Sequence, residues 1–268
     1  GFMDRDTVEK VLTNHRLSDD TAWTMPILLP FNRESKTALD PSGEILLTDM
    51  EGAPHALLKN AHAYEMNLED LAKRWFGTVS LEHPGVAEVM SGSGWFLAGS
   101  ITLLKRSPTP NRNHELTPLQ ARNVFTHKGW SKIVGFHSRN VMHRAHEHIM
   151  LTALETSMAD GLLLSPLTGP MKPGDFICEA IVKSYQTMLT SGLLPFDQAV
   201  LSTLMTYPRY AGPREAIFTA LCRKNMGCSH FILGRDHAGV GAFYRTESTQ
   251  ELFDQLGDLG IELIFFED

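Results

Sequence analysis

Lys132–His148, KIVGFHSRNVMHRAHEH, decides how this chain folds. Ile133, Val134, Gly135 and Phe136 make a short apolar run bounded by a polar cluster, His137-Ser138-Arg139-Asn140. That pattern reads as a buried strand running into a turn. The residues after the turn predict a helix carrying His143 and His146 on one face, since residues three apart are neighbours on a helix. A strand that empties into donors at a helix start suits an anion. The first backbone N–H groups of a helix have no internal partner, and its dipole favours negative charge there.

Downstream the pattern repeats. GLLLSP (Gly161–Pro166), QAVLSTLM, SHFILG and IELIFF read as further strands. Helices are predicted over Phe176–Leu189, over GPREAIFTALCRKNMG and over Ser248–Leu256. A helix ahead of the first strand starts with Thr117 as N-cap and Pro118 at its first position. Strands alternating with helices predict an α/β domain with a parallel sheet over 111–268. Ligands in such sheets sit at the carboxyl ends of the strands. Three of those ends carry HSRN…HRAH, YPRYAGPRE and GRDHAG.

Upstream, Ser107–Glu115 (SPTPNRNHE) reads as a linker, with a small mixed-β domain over 1–110 before it. Met25–Phe31 and Glu44–Asp49 are strand candidates, and Gly94–Leu104 a candidate strand pair. Leu68–Gly77 is its clearest helix. No catalytic constellation stands out there; His55, His62 and His83 read as surface or core histidines.

The totals narrow the function. The chain has 268 residues, 43% hydrophobic and 21% charged, which suits a globular protein with a substantial core. A net charge of −7 argues against general nucleic-acid binding. Three cysteines without a CxxC pair are no disulfide framework. No apolar run would span a membrane and no signal pattern opens the chain, so the cytoplasm is the expected location.

Three readings compete for His143 and His146: a metal pair, a phosphate cradle, or two solvated histidines. The strand and the SRN turn ahead of them favour the cradle. Arg139 can hold a tetrahedral oxyanion through two parallel hydrogen bonds. Asn140 can donate to a phosphoryl oxygen. Arg209 and Arg214, flanking a Gly-Pro helix start, are further cation candidates. Gly234 and Gly239 allow close backbone approach to a ligand.

Together these pieces resemble the ATP sulfurylases. FHSRNVMHRAHEHI is similar to that family's FQTRNPxHRAHE signature, and RYAGPREAIFTALCRKNMGCSHFILGRDHAGVG to its second block. SPLTGPMKPGD, HPGV and GWFLAG extend the likeness over nearly the whole chain. The resemblance implies a β-rich PUA-like domain before a Rossmann-like nucleotidyltransferase domain. It implies MgATP and sulfate as substrates, with Mg²⁺ delivered by ATP and no protein-held metal. Adenylyl sulfate and pyrophosphate are the expected products. Relatives that adenylate another oxyanion, or only bind nucleotide, are the alternatives. By similarity, His137, Arg139 and the backbone at Ala238 hold sulfate, with Ser138 beside them. Asn140, His143 and His146 grip the nucleotide phosphates. Arg209, Gly234, Arg235, Asp236 and His237 line the ATP site. A homo-oligomer follows by analogy; members of the family usually continue into a further small C-terminal subdomain, where this sequence stops at IELIFFED. The chain departs from the family at His137, where the family has Gln. It departs again at Ser138 for Thr and at Val141 and Val240 for Pro. His137 puts a titratable group at the oxyanion.

Overall fold

The computed structural model describes residues 1–32, 43–106, 108–170, 174–194, 197–234 and 237–266. They form two compact units. The first holds Gly1–Pro108 together with Arg209–Glu215 and Ala238–Leu256; the second holds Thr109–Pro208, Ala216–His237 and Gly257–Asp268. The chain therefore leaves the second unit twice to complete the first, which a single linear boundary does not describe.

In the first unit, helix α1 (Arg5–Asn14) starts at Asp4, whose carboxylate accepts from the backbone N–H of Thr7 at 2.7 Å. It buries Val8, Val11 and Leu12. The sequence reading did not foresee it, because its apolar stripe is only three residues wide. Four antiparallel strands follow: β1 (Leu29–Pro30), β2 (Ile45–Thr48), β3 (Pro54–Glu65) and β4 (Trp95–Leu103), in the order β1-β4-β3-β2. The candidate strand pair at Gly94–Leu104 is thus one strand, paired along β3 from Ala56 to Glu65. Between β3 and β4 lie α2 (Leu68–Phe76) and α3 (Pro84–Met90). Asn67 caps α2, and Gly77 ends it at φ 76°, a left-handed conformation that suits glycine.

In the second unit, helix α4 (Pro118–His127) opens with a capping box between Thr117 and Gln120. Five strands then build a parallel sheet: β5 (Ile133–Phe136), β6 (Gly161–Leu164), β7 (Ala199–Leu201), β8 (His230–Gly234) and β9 (Glu262–Phe266). Their order is β7-β6-β5-β8-β9. The connections run outward from β5 to β6 and β7, then cross to β8 and β9. The strand order reverses between β5 and β8, which is where such sheets bind ligands.

One face of β5, Val134 and Phe136, packs on Met150, Ala153 and Leu154 of α5 (Arg144–Ser157) and on Ile181, Val182 and Tyr185 of α6 (Cys178–Thr190). Gly135 points the other way. A Cβ there would stand 3.0 Å from Cγ of Arg223 and 3.2 Å from Sγ of Cys228. Arg223 belongs to α7 (Pro213–Met226), so glycine in the strand admits the stem of a long helix side chain. The helix over Ser248–Leu256, α8 in chain order, precedes β9.

Candidate active site

β5 ends at Phe136 and α5 starts at Arg144, leaving His137–His143 as the connecting loop. Its shape follows from local bonds. Ser138 is buried, and its Oγ accepts from the backbone N–H of Asn140 at 3.0 Å. Its carbonyl accepts from Leu167 N–H at 3.0 Å. Ser184 Oγ on α6 accepts from Met142 N–H at 3.0 Å. Arg139 is half-buried, and Asn140 and His143 are exposed.

His143 does not lie within the helix, as the sequence suggested. It is the N-cap of α5, with extended backbone and no side-chain capping bond. The two imidazoles still meet, because an N-cap residue and the third helical residue share a side. The rings of His143 and His146 stack with centroids 3.7 Å apart and planes 27° apart. His146 also sets its edge against Phe136, at 5.3 Å. Burial, and then the neighbouring His143, push His146 down to about 4, so it is neutral at physiological pH. A cleft of about 600 Å³ opens beside this pair, lined by His143, Arg144 and Glu147 on one side and Lys183, Ser184 and Thr187 on the other. Glu147 accepts from Arg144 at 2.9 Å.

On the other side of the β5 end, His137 and His237 face each other, ring centroids 5.3 Å apart. His237 follows β8, whose last residue, Gly234, is exposed. Arg223 reaches the same place from α7: Nη2 donates to His137 Nδ1 at 2.5 Å and to the Ser165 carbonyl at 3.1 Å. Burial and the charge of Arg223 hold His137 well below the ordinary histidine range and push His237 to about 4. Arg235 and Asp236 lie outside the described residues.

The second unit thus brings His137, Ser138, Arg139, Asn140, His143, His146, Gly234 and His237 to the ends of two adjacent strands, at the reversal of strand order. Arg209 and Ala238 belong to the first unit. There the Glu215 carboxylate collects the backbone N–H groups of Arg209, at 2.9 Å, and Ala211, at 3.0 Å. Tyr210 takes a left-handed φ of 60°, and its carbonyl accepts from His83 Nε2 and from Tyr244 O–H, both at 2.9 Å. His83 also caps α3 through Nδ1, so the histidine of HPGV is a buried brace for this turn. Ala238, at φ 59°, accepts through its carbonyl from Gly212 N–H at 3.0 Å.

Arg214 is not a phosphate candidate. Its guanidinium is half-buried in the first unit and donates to the carbonyls of Val11, Leu12 and Thr24 and to His15 Nδ1. It satisfies the end of α1, where carbonyls lack helical partners. Arg223 is the converse case, a site residue outside the strand-end motifs that mark the others. The buried residues Ala216, Ile217 and Ala220 mark an apolar stripe on α7, and Arg223 falls on that stripe at i+7 from Ala216. A charged residue on an apolar stripe was the available signal.

Chemically, this donor set is imidazole, guanidinium and backbone N–H. Among the described residues, no group of three His, Cys, Asp or Glu is placed to hold a metal ion. The nearby carboxylate, Glu147, pairs with Arg144. Such a set suits oxyanions, and the neutral rings of His146 and His237 can donate without carrying charge.

Comparison with known proteins agrees with that chemistry. The ATP-sulfurylase family model matches residues 112–268, and a PUA-like domain model matches residues 1–106. A sulfate adenylyltransferase of Pyrococcus abyssi is 42% identical over 268 residues, covering 100% of this chain and 69% of its own. One from Symbiobacterium thermophilum is 39% identical, covering 100% and 68%. One from Cenarchaeum symbiosum is 40% identical, covering 99% and 70%. Among solved structures, the hexameric APS kinase from Thiobacillus denitrificans superposes with a TM-score of 0.74 at 23% identity. The match covers all of this chain and 46% of that one, and it speaks to fold alone. No described helix is long and apolar enough to cross a membrane.

Proposed function

The chain belongs to the ATP-sulfurylase family, and on that premise we propose that it is a sulfate adenylyltransferase, converting MgATP and sulfate to adenylyl sulfate and pyrophosphate. The observation that carries the reading is the pairing of two donor clusters around the end of β5. The stacked His143 and His146 form one, and His137 with His237 and Arg223 forms the other; Arg139 and Asn140 lie in the loop between His137 and His143.

In the proposed reaction a sulfate oxygen attacks the α-phosphorus in line. The bond from the α-phosphorus to the bridging oxygen breaks, and that oxygen leaves with the electron pair on pyrophosphate. No protein nucleophile is needed; positioning and charge neutralisation supply the catalysis. Arg139 holds the sulfate, with His137 and the backbone at Ala238 assisting. Asn140 and the stacked pair donate to the α- and β-phosphates. His146, being neutral, stabilises charge growing on the leaving group through a hydrogen bond. Gly234, His237 and Arg209, with Arg235 and Asp236, bind the rest of ATP. Magnesium travels with the nucleotide. The same reading takes small molecules rather than nucleic acid or membrane as partners. It expects a cytoplasmic homo-oligomer, and it assigns 111–268 as the catalytic domain.

The test is phosphate release from MgATP in the presence of pyrophosphatase. Release should require sulfate, or molybdate as a tetrahedral mimic. Arg139→Ala should lower turnover by at least about 100-fold while leaving the unfolding transition unchanged. Sulfate-independent release, or full turnover in the variant, rules the assignment out.

A further inference from the structure

The guanidinium of Arg223 is buried, yet it donates directly to a ring nitrogen of the site. It is 1% exposed. Its stem crosses β5 over Gly135, where any Cβ would meet it. Gly135 and His137 are two residues apart along extended backbone and so share a face. The strand therefore delivers the guanidinium beneath the His137 ring.

The hydrogen bond between them has one chemical reading. A guanidinium has five N–H donors and no acceptor. Nδ1 of His137, 2.5 Å from Nη2, must therefore carry a lone pair. A neutral imidazole with a bare Nδ1 keeps its proton on Nε2. A protonated ring would set N–H against N–H.

We infer that Arg223 is a positioning residue for the acceptor oxyanion: it locks His137 as a neutral donor with its proton on Nε2, and keeps a buried positive charge directly behind it. The inference rests on the adenylyltransferase reading for the word acceptor, but the tautomer does not depend on it. The arrangement gives His137 the hydrogen-bonding character of an uncharged amide N–H, in a place where an unconstrained imidazole would switch charge between about pH 5 and 8.

Among the described residues, the neighbours of His137 are consistent with this. His237 faces His137 across 5.3 Å and is itself held neutral, at about 4, by burial and the same guanidinium. The Ser165 carbonyl at the end of β6 accepts from Nη2. Phe231 of β8 packs by the ring, with centroids 6.5 Å apart. The titratable groups facing Arg223 itself are Cys222, Cys228 and Tyr185. Burial pushes the Cys228 thiol up to about 12 and the Tyr185 phenol up as well, so both stay neutral. Arg223 Nε has no hydrogen-bond partner among the described residues, which leaves the positive charge incompletely shared.

The experiment is ¹⁵N NMR of the wild-type protein labelled at its 12 histidines, with His137 assigned by its loss in His137→Gln. Nδ1 should resonate as an unprotonated acceptor and Nε2 as a protonated donor, unchanged between about pH 5 and 8. A proton on Nδ1, or a titration inside that range, overturns the inference whether or not the protein turns over sulfate. A second arm reads function. Wild-type KM for sulfate should be flat over the same range. Arg223→Met should raise it about tenfold, with a smaller change in kcat, and give it a pH dependence centred near the ordinary histidine value. Arg223→Lys should restore part of the loss. A Met variant that folds and keeps a flat, unchanged KM also overturns the inference. If that variant fails to fold, the wild-type spectrum and pH profile decide alone. Absence of any sulfate turnover would sink the adenylyltransferase reading while leaving the tautomer measurement intact.

Discussion

The carbonyl oxygen of Arg209 lies 2.5 Å from the point where Gly85 would carry a Cβ. Within the first unit, the HPGV turn and the RYAG turn are in close backbone contact, with His83 and Phe76 completing the contact. Gly85→Ala must displace the Arg209 carbonyl or the Phe76 ring. A loss of about 1–3 kcal/mol follows from overpacking at a backbone contact. Because Arg209 is proposed to bind ATP, KM for ATP should also rise. Urea unfolding and initial rates check both. An unchanged midpoint would mean that the turn yields without cost.

Arg214→Met removes the donors to the Leu12 and Thr24 carbonyls and to His15 Nδ1, while the Val11 carbonyl keeps the His15 N–H. Each buried acceptor left unpaired costs about 1–3 kcal/mol, so the variant should unfold at markedly lower urea. KM values of the surviving folded fraction should stay near wild type, because this guanidinium is committed to the scaffold. A selective rise in KM for ATP, at unchanged stability, would return Arg214 to the list of ligands.

Replacing either member of the stacked pair should affect catalysis more than stability, with an asymmetry between them. His143 is exposed and makes no capping bond. His143→Ala should therefore lower kcat by about 100-fold with no change in melting. His146→Ala empties a site against Phe136 and should cost about 1–3 kcal/mol as well. Equal, small effects on kcat for both would remove the phosphate cradle.

Acid should destabilise the protein through its neutral histidines. His15, His146 and His237 each fall to about 4 in the fold, against 6.5 for a free histidine. Below 6.5 the unfolded chain takes up protons that the fold does not. The stability these groups support is full above pH 6.5 and declines as pH falls towards 4. Urea midpoints across that range should drop steadily. A flat profile would mean that these rings protonate in place.

The parallel sheet and the turn after β5 were legible because each is a local pattern: four apolar residues, a polar break, a helix start. Five strands were readable for that reason, and so was the crowding of chemistry at three strand ends. The contacts that give those residues their properties were not. Arg223 and His137 are 86 positions apart, and only the crossing of α7 over Gly135 joins them. Arg214 was misread because its partners, 199 to 203 positions away, sit on a helix that itself went unnoticed. Its short stripe, Val8, Val11 and Leu12, was overlooked among polar neighbours. His143 was placed inside the helix because periodicity marks a helix's face better than its first residue.

The two returns of the chain to the first unit, at Arg209–Glu215 and Ala238–Leu256, set an order of events on the ribosome. Domains ordinarily fold from the N-terminus as they emerge, at about 5–20 residues per second. Here the N-terminal unit receives its last segment only when Leu256 is made, by which point four of the five parallel strands are already synthesised. Its four strands, all made by Leu103, wait for that last segment for roughly 7–30 s at those rates. A fragment ending at Pro108 should therefore be a client of chaperones rather than a free-standing domain.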